Sequence, residues 1–300
     1  MKYLITGGSG LIGSEITKIL LEKNENVNWL TSSKKEKKDV NSFNWNINKN
    51  QLDENCFQDV DVIIHLAGAG IADKKWTVER KKELIESRIK STQLLFEYLK
   101  LMKNKPKTIV CSSAIGIYKN QNDNLLNEES ETGSDFLADL TYQWEHAVNK
   151  FETIGIRVVK LRIGIVLSKD GGYLKSIAAP VKYGLAAALG TGKMITSWIH
   201  ISDLTNMFIF AAENEKMNSV YNAVAPNPVT NFEMTKQIAR ILNRPFFLPN
   251  VPAFILKLFF GEMSSVILMS QNISSKKIEE IGFKFKFINL KDALKNIFKK

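Results

Sequence analysis

Gly7, Gly10 and Gly13 stand three apart in Thr6-Gly7-Gly8-Ser9-Gly10-Leu11-Ile12-Gly13, and the chemistry open to that spacing is the binding of a dinucleotide pyrophosphate. Gly7 permits a tight turn out of a strand. Gly10 lets backbone amides around Ser9, Leu11 and Ile12 approach phosphate oxygens with no Cβ in the way, and Gly13 lets the next helix pack close to the sheet. The N-terminus of that helix adds partial positive charge. Farther along, Tyr118 and His200 carry groups able to move a proton. Tyr118 follows an apolar strand on the edge where ligands of open α/β sheets collect, as an acid or as an aromatic lid. His200, in Trp198-Ile199-His200 ahead of a helix start at Ser202-Asp203, serves as a titrating catalyst or as a structural strut.

The end of the second strand speaks to the cofactor. An acid about 20 residues beyond the glycine loop would accept the ribose hydroxyls of an unphosphorylated dinucleotide. Here the chain reads Leu30-Thr31-Ser32-Ser33-Lys34-Lys35, with hydroxyls and ammonium charge where an acid would repel a 2′-phosphate. NADP(H) is therefore favoured over NAD(H), with Ser32, Ser33 and Lys34 at the phosphate; the alternative is a solvated lysine loop. Trp76, in Lys75-Trp76-Thr77 beside Arg80-Lys81, offers an indole face and nearby cations to an anionic or sugar-like substrate. Arg162 either faces the site or pairs locally, and Arg88 with Glu145 reads as a buried structural pair.

These residues need a scaffold, and the hydrophobic pattern supplies one. Lys2 to Ile5, Val27 to Leu30, Phe43 to Ile47, Val60 to Leu66, Thr108 to Ser113 and Arg157 to Arg162 read as strands. Runs apolar along their length suit parallel strands buried on both faces. Helical spacing over Glu79 to Lys100 and Phe136 to Ile154 alternates with them, which predicts a Rossmann-type, doubly wound α/β fold with a parallel sheet. The expected division is a dinucleotide-binding domain over 1–165 and a smaller, interleaved α+β substrate-binding lobe over 166–300. A strand near 220–224 rejoins the main sheet.

A formal charge of +10 and a pI near 9.3 could draw nucleic acid or acidic membrane. The lysines are dispersed, however, and not interleaved with stacking aromatics, so no nucleic-acid partner and no membrane partner is expected. The partner is a small-molecule substrate, and the sequence carries no signal for oligomeric state. Cys56 and Cys111 form neither a disulfide framework nor metal-ligand spacing, and a strand beginning at Lys2 leaves no room for a leader, so the expected location is the cytoplasm. Val251 to Ser270 is the most apolar stretch, but Lys257 and Glu262 interrupt it; a packed helix pair is expected there instead of a span.

Taken together, the glycine loop, Leu66-Ala67-Gly68, Ser112-Ser113 and Trp198 to Asp203 resemble an extended short-chain dehydrogenase/reductase. Leu66-Ala67-Gly68-Ala69-Gly70-Ile71, Ser113 to Tyr118, Trp144-Glu145, Leu161 to Leu167, Tyr221 to Val229 and Gly261-Glu262-Met263 narrow the resemblance to the atypical, epimerase-like group. That group is labelled "epimerase family protein", sometimes SulA-like, and has a C-terminal domain of unknown function, here about 247–296. The resemblance implies cofactor contacts from Leu66, Ala67, Gly68 and Ser112 and an oxidoreductase or epimerase activity. The alternative it implies is a non-catalytic, NADP(H)-sensing regulator, which the group's label links to cell division. It would also imply a Tyr and a Lys four residues apart on the helix near Glu145, where the Lys lowers the phenol's pKa. Leu137 and Thr141 fall there instead, while Tyr142 and His146 have the spacing but are shifted five residues along the helix, with His in place of Lys. The usual catalytic hydroxyl falls at Ala114, with Ser113 one residue earlier, either as the candidate in its place or as a serine that satisfies backbone groups at a strand end.

Overall fold

Alternating side chains decide the layers. In the computed structural model, which describes residues 1–32, 36–120 and 124–298, eight strands form one sheet: β1 (Lys2–Thr6), β2 (Asn26–Thr31), β3 (Asn41–Asn46), β4 (Gln51–Leu52), β5 (Val62–His65), β6 (Thr108–Ala114), β7 (Arg157–Ile163) and β8 (Ser219–Ala223). Their spatial order is β8-β7-β6-β5-β1-β2-β3-β4. Every pairing is parallel except the short edge pair β3 and β4. The chain winds one way from β1 through β3 and the other way from β5 through β8, so the order reverses at β1 and β5.

Tyr3, Ile5, Val62, Ile64, Val110 and Val159 face one layer, built by α1 (Leu11–Glu22) and, later in the chain, by Ile201–Glu213. Leu4, Ile63, Ile109, Cys111 and Val158 face the other, against α2 (Val78–Leu101) and α3 (Phe136–Asn149). Burial of both faces explains why these strands read as unbroken apolar runs. Each fully buried Leu or Ile contributes about 1.5–3 kcal/mol, so these two layers hold the sheet.

Beyond β7 the chain forms α4 (Gly172–Lys182), α5 (Ile201–Glu213) and α6 (Asn231–Ile241), then α7 (Ala253–Phe260), α8 (Ser264–Leu268), α9 (Lys276–Glu280) and α10 (Leu290–Phe298). A third cluster joins α4, α6 and α10 through Leu174, Ala178, Val181, Met234, Ile238 and Leu294. The Gly- and Ala-rich segment from Gly171 to Gly192 holds α4, and the helix expected to start at Ser202-Asp203 is the thirteen-residue α5. The expected helix pair in the apolar tail is α7 and α8, but only Leu256 of α7 is buried, while Phe254, Leu258 and Phe259 are exposed. No helix among the described residues is long and apolar enough to cross a membrane.

The C-terminal elements close back on the sheet edge. Asn272–Ile273 pair in parallel with Leu125–Leu126, and Lys81 Nζ of α2 meets Glu262 Oε1 at 2.5 Å. Asp203 of α5 accepts the backbone N–H groups of Lys286 and Phe287, each at 2.9 Å. These ties seat α8 over the C-terminal ends of the central strands.

Candidate functional site

The glycine loop leaves β1 through Gly7 at φ +69°, a left-handed conformation in which a Cβ is strained. A Cβ on Gly13 would lie 2.4 Å from Gly7 O and 2.7 Å from Gly8 Cα. Both are backbone atoms that cannot give way, so helix and loop can approach this closely only with glycine there. Gly10 caps α1 without any side-chain hydrogen bond, and no acid lies in the first turn. The amides of Leu11, Ile12 and Gly13 precede the first intrahelical bond, from Ser14 N to Gly10 O at 2.9 Å, which leaves them to an anion. Ser9 is exposed at the tip.

A buried strut holds the loop against β5. Thr6 Oγ1 lies 2.8 Å from His65 Nδ1 and accepts from the amides of Leu66 and Ala67, each at 3.1 Å. His65 Nε2 lies 3.0 Å from Thr92 Oγ1 on α2. Burial lowers the His65 pKa to about 4, so the ring is neutral and each of its nitrogens has a hydroxyl neighbour.

The loop opens on a cavity of about 470 Å³. Ile12, Leu66, Gly68, Ser112 and Ser113 line its sheet side; Arg88, Leu137, Thr141 and Trp144 come from α2 and α3; Val266, Ile267 and Met269 cover it from α8 and the residues after it. Leu137 and Thr141, at the places where a Tyr and a Lys would stand, both face this cavity. The Thr141 hydroxyl donates back to Leu137 O at 2.7 Å. Tyr142 and His146 are exposed on the opposite side of α3, so their spacing does not supply a substitute pair.

Ser113 borders the cavity, and its hydroxyl is already committed. Ser113 Oγ donates to Glu145 Oε1 at 2.5 Å, and Arg162 grips the same carboxylate with Nε to Oε1 at 2.8 Å and Nη2 to Oε2 at 2.9 Å. Burial by itself would raise the Glu145 carboxyl; the hydrogen bonds and charge of Arg162, with the Ser113 hydrogen bond, outweigh it and hold the group below the usual carboxylate range. Register explains the meeting, since Ser113 and Arg162 are directly paired on β6 and β7.

Several expected site residues are placed elsewhere. Tyr118 is a buried member of the same network: its phenol donates to Asn222 Oδ1 at 2.6 Å and accepts from Arg162 Nη1 at 2.9 Å. Burial pushes its pKa up to about 12, and it does not line the cavity. Arg162, with Nη1 also donating to Glu128 O at 3.1 Å, is fully engaged in local pairing and is not a cavity residue. Trp76 donates to Ile71 O at 2.9 Å and packs edge-on against Phe136 at 5.0 Å, pinning the loop after β5 instead of lining the cavity. His200 is itself the cap of α5: its Nδ1 accepts from Ser202 N at 3.1 Å, and its ring lies 4.0 Å from that of Phe287. Burial, then the nearby Lys286, lowers its pKa to about 4.

Arg88 does not pair with Glu145. Its guanidinium lies 5.2 Å over the Trp144 ring and donates to Leu84 O at 2.9 Å and Ala69 O at 3.0 Å. The sequence pointed to opposite charges on neighbouring helices, but the carboxylate is taken from the strand side. Among supporting residues, Gln271 was not foreseen at all: buried, it donates to Ile115 O and Tyr118 O, each at 3.1 Å, and so fixes the turn after β6.

Ser32, at the end of β2, borders a second groove of about 560 Å³ with Asn46, Ile47, Lys82 and Ser87. Ser33 and Lys34 lie outside the described residues. Near this end Lys37 Nζ stands 5.8 Å over the Trp29 ring and 3.4 Å from Ser14 O.

Comparison with known proteins agrees with this geometry. The model of the NAD dependent epimerase/dehydratase family matches residues 3–223, and that of a domain of unknown function, DUF1731, matches residues 251–297. An epimerase family protein of Staphylococcus aureus strain MRSA252 is 37% identical over 302 residues, covering 100% of this chain and 99% of its own. A relative from Staphylococcus saprophyticus is 37% identical over 300 residues, covering 98% of each. The crystal structure of the human epimerase family protein SDR39U1 (isoform 2) with NADPH superposes with a TM-score of 0.87 at 27% identity, covering 99% of both chains. The UDP-glucose 4-epimerase of Thermotoga maritima, at 19% identity and a TM-score of 0.82 over 99% of this chain and 97% of its own, shares the fold. With its glycine loop, doubly wound sheet and C-terminal DUF1731 region, the chain belongs to the NAD dependent epimerase/dehydratase family.

Proposed function

We propose that the chain is an NADP(H)-dependent oxidoreductase or epimerase that acts on a small molecule without the usual Tyr and Lys pair. One observation carries the reading: the glycine-loop helix, through Ile12, and Ser113 border the same cavity. The residues present fit a dinucleotide. Gly13 stands where a Cβ would strike backbone, and the amides opening α1 have neither a side-chain cap nor a first-turn acid in competition. The amides near Ser9 to Gly13 would hold the pyrophosphate, Leu66, Ala67, Gly68 and Ser112 the cofactor's path across the sheet, and Ser32, Ser33 and Lys34 a 2′-phosphate. When bound, the nicotinamide supplies or accepts hydride. The lobe after residue 166 supplies the substrate side.

The chain's own contribution centres on Ser113. Its proton is given to Glu145, which Arg162 keeps ionised, so the Oγ lone pairs are left to accept a hydrogen bond from a substrate hydroxyl. Tyr118, too weakly acidic at about 12, holds Arg162 and Asn222 in place and donates no proton to substrate. NADP(H) is favoured by the absence of an acid at the end of β2 and by the NADPH in the human relative's structure. The test is NADPH oxidation, or NADP⁺ reduction, across carbonyl, quinone and sugar panels with wild type and Ser113→Ala. Turnover that Ser113→Ala lowers at least tenfold supports the reading, and tight NADPH binding with no turnover anywhere counts against it.

A second reading rests on Leu137 and Thr141 occupying the cavity wall where a proton relay would stand. On it the chain senses NADP(H) and exchanges partners. A set of pull-down partners that changes with cofactor loading supports sensing; an identical set with and without NADPH removes it.

A further inference from the structure

The cavity wall holds a buried cation with no counter-ion. Arg88 is 8% exposed, and among the described residues no carboxylate lies within ion-pair distance of it. Its two hydrogen bonds go to backbone carbonyls, Leu84 O and Ala69 O, and the Trp144 face lies beneath it. Guanidinium has more N–H groups than these two acceptors use. A buried charge without a partner is costly, and an anion entering the cavity would relieve that cost. The contrast with Arg162, whose guanidinium spends four of its five N–H groups on Glu145, Tyr118 and Glu128, makes Arg88 the arginine of this site left to a ligand.

Around Arg88 the cavity wall is largely apolar, with Ser113, Tyr173, Thr196 and Gln271 among its polar exceptions. Ile115, Leu137, Leu140, Trp144, Val266 and Ile267 make up much of the wall, and the Thr141 hydroxyl is turned into its own helix. A sugar would bring more hydroxyls into this space than its few polar groups could match, and a buried polar group left unmatched is costly. An apolar or aromatic body would lose nothing.

We propose that the substrate has an apolar body bearing one carboxylate or comparable oxyanion seated on Arg88, and that Arg88 sets this specificity. The inference deepens the proposed enzyme reading and rests on it for the word substrate. The pyrophosphate has its own place at the amides of α1, which leaves Arg88 to the second ligand.

Saturation-transfer NMR on the full chain, with and without saturating NADP⁺, tests this with benzoate and its neutral counterpart benzamide as probes. Benzoate should bind at least tenfold tighter than benzamide in the wild type. Arg88→Met should bring the two within twofold while changing NADP⁺ affinity less than threefold, and Arg88→Lys should keep part of the preference. UDP-glucose, offered to the NADP⁺-saturated chain, should not displace benzoate. Equal affinities in the wild type, a preference that survives Arg88→Met, or displacement by UDP-glucose overturns the proposal. A fall in NADP⁺ affinity as large as that in benzoate affinity also overturns it, by giving the cation to the cofactor. Should Arg88→Met not fold, the wild-type ratio and Arg88→Lys still decide. A wild type that binds no NADP⁺ refutes the enzyme reading separately, because the benzoate ratio is also read without cofactor.

Discussion

Removing one partner of the Glu145 and Arg162 pair should be far worse than removing both. Their side chains are 11% and 10% exposed, joined by two hydrogen bonds of 2.8 and 2.9 Å. In Glu145→Gln the guanidinium keeps Tyr118 and Glu128 as neutral acceptors but loses its charge partner. Unit charges about 4 Å apart at an effective permittivity of about 20 interact by about 4 kcal/mol, which agrees with the roughly 3–5 kcal/mol lost when buried pairs are broken. That is a large share of a total stability of about 5–15 kcal/mol. Arg162→Met strands the carboxylate, which then takes up a proton, since burial raises its pKa and the Ser113 hydrogen bond alone does not offset it. Glu145→Gln combined with Arg162→Met removes both charges of the pair and should cost much less than the sum of the singles. Urea unfolding of the two singles and the double gives the coupling, expected at about 3 kcal/mol.

The pH dependence of those variants carries a sign test. In the wild type the Glu145 carboxyl is lowered by folding, so its contribution is present above the unfolded carboxylate pKa and lost as pH falls through the folded value. In Arg162→Met the folded carboxyl is raised, so stability is gained at low pH and lost as pH rises. Additive single effects below about 1 kcal/mol, or the same pH slope in both proteins, would refute a buried, charged pair.

Three further outcomes follow from the same geometry. Gly13→Ala puts a Cβ 2.4 Å from Gly7 O and should cost about 1–3 kcal/mol in urea unfolding and more than tenfold in NADPH affinity; a variant that binds like the wild type contradicts the loop's role. His65, near 4 when folded against about 6.5 unfolded, stays neutral while the unfolded chain takes up a proton, so stability falls as pH drops through that window. The loss attributable to it is about 2 kcal/mol between pH 7 and pH 5, and His65→Gln should flatten that part of the urea profile. Tyr118→Phe should cost about 1–3 kcal/mol by leaving Asn222 Oδ1 and Arg162 short of a partner, yet shift no kinetic pKa; a shifted acid limb in a pH–rate profile would return Tyr118 to the catalytic role.

Much of the fold was legible because both sheet faces are buried and side chains alternate between them. Leu4 and Tyr3, or Ile63 and Ile64, serve opposite layers, so each strand shows as an apolar run. The glycine loop was legible for a steric reason, since Gly13 admits no other side chain. Helix α4 escaped notice because Gly171, Gly172 and Pro180 read as loop residues, although Leu174, Ala178 and Val181 carry the helical spacing. The site was harder to read. Glu145 and Arg88 are oppositely charged and lie on neighbouring helices, but which arginine reaches Glu145 depends on the register that sets Ser113 beside Arg162 across β6 and β7. Tyr118 was placed at the right edge of the sheet, yet the three-residue turn at Ile115–Ile117 swings its ring inward to Asn222, a direction no spacing encodes.

Calorimetric titration of the cofactor-stripped chain with NADPH and with NADH, repeated on Gly13→Ala, tests the central claim most directly. One NADPH should bind per chain, at least tenfold more tightly than NADH, and Gly13→Ala should abolish most of that affinity. Absence of saturable binding by the wild type, or equal binding by the Gly13→Ala chain, would contradict the assignment of the glycine loop as a dinucleotide site.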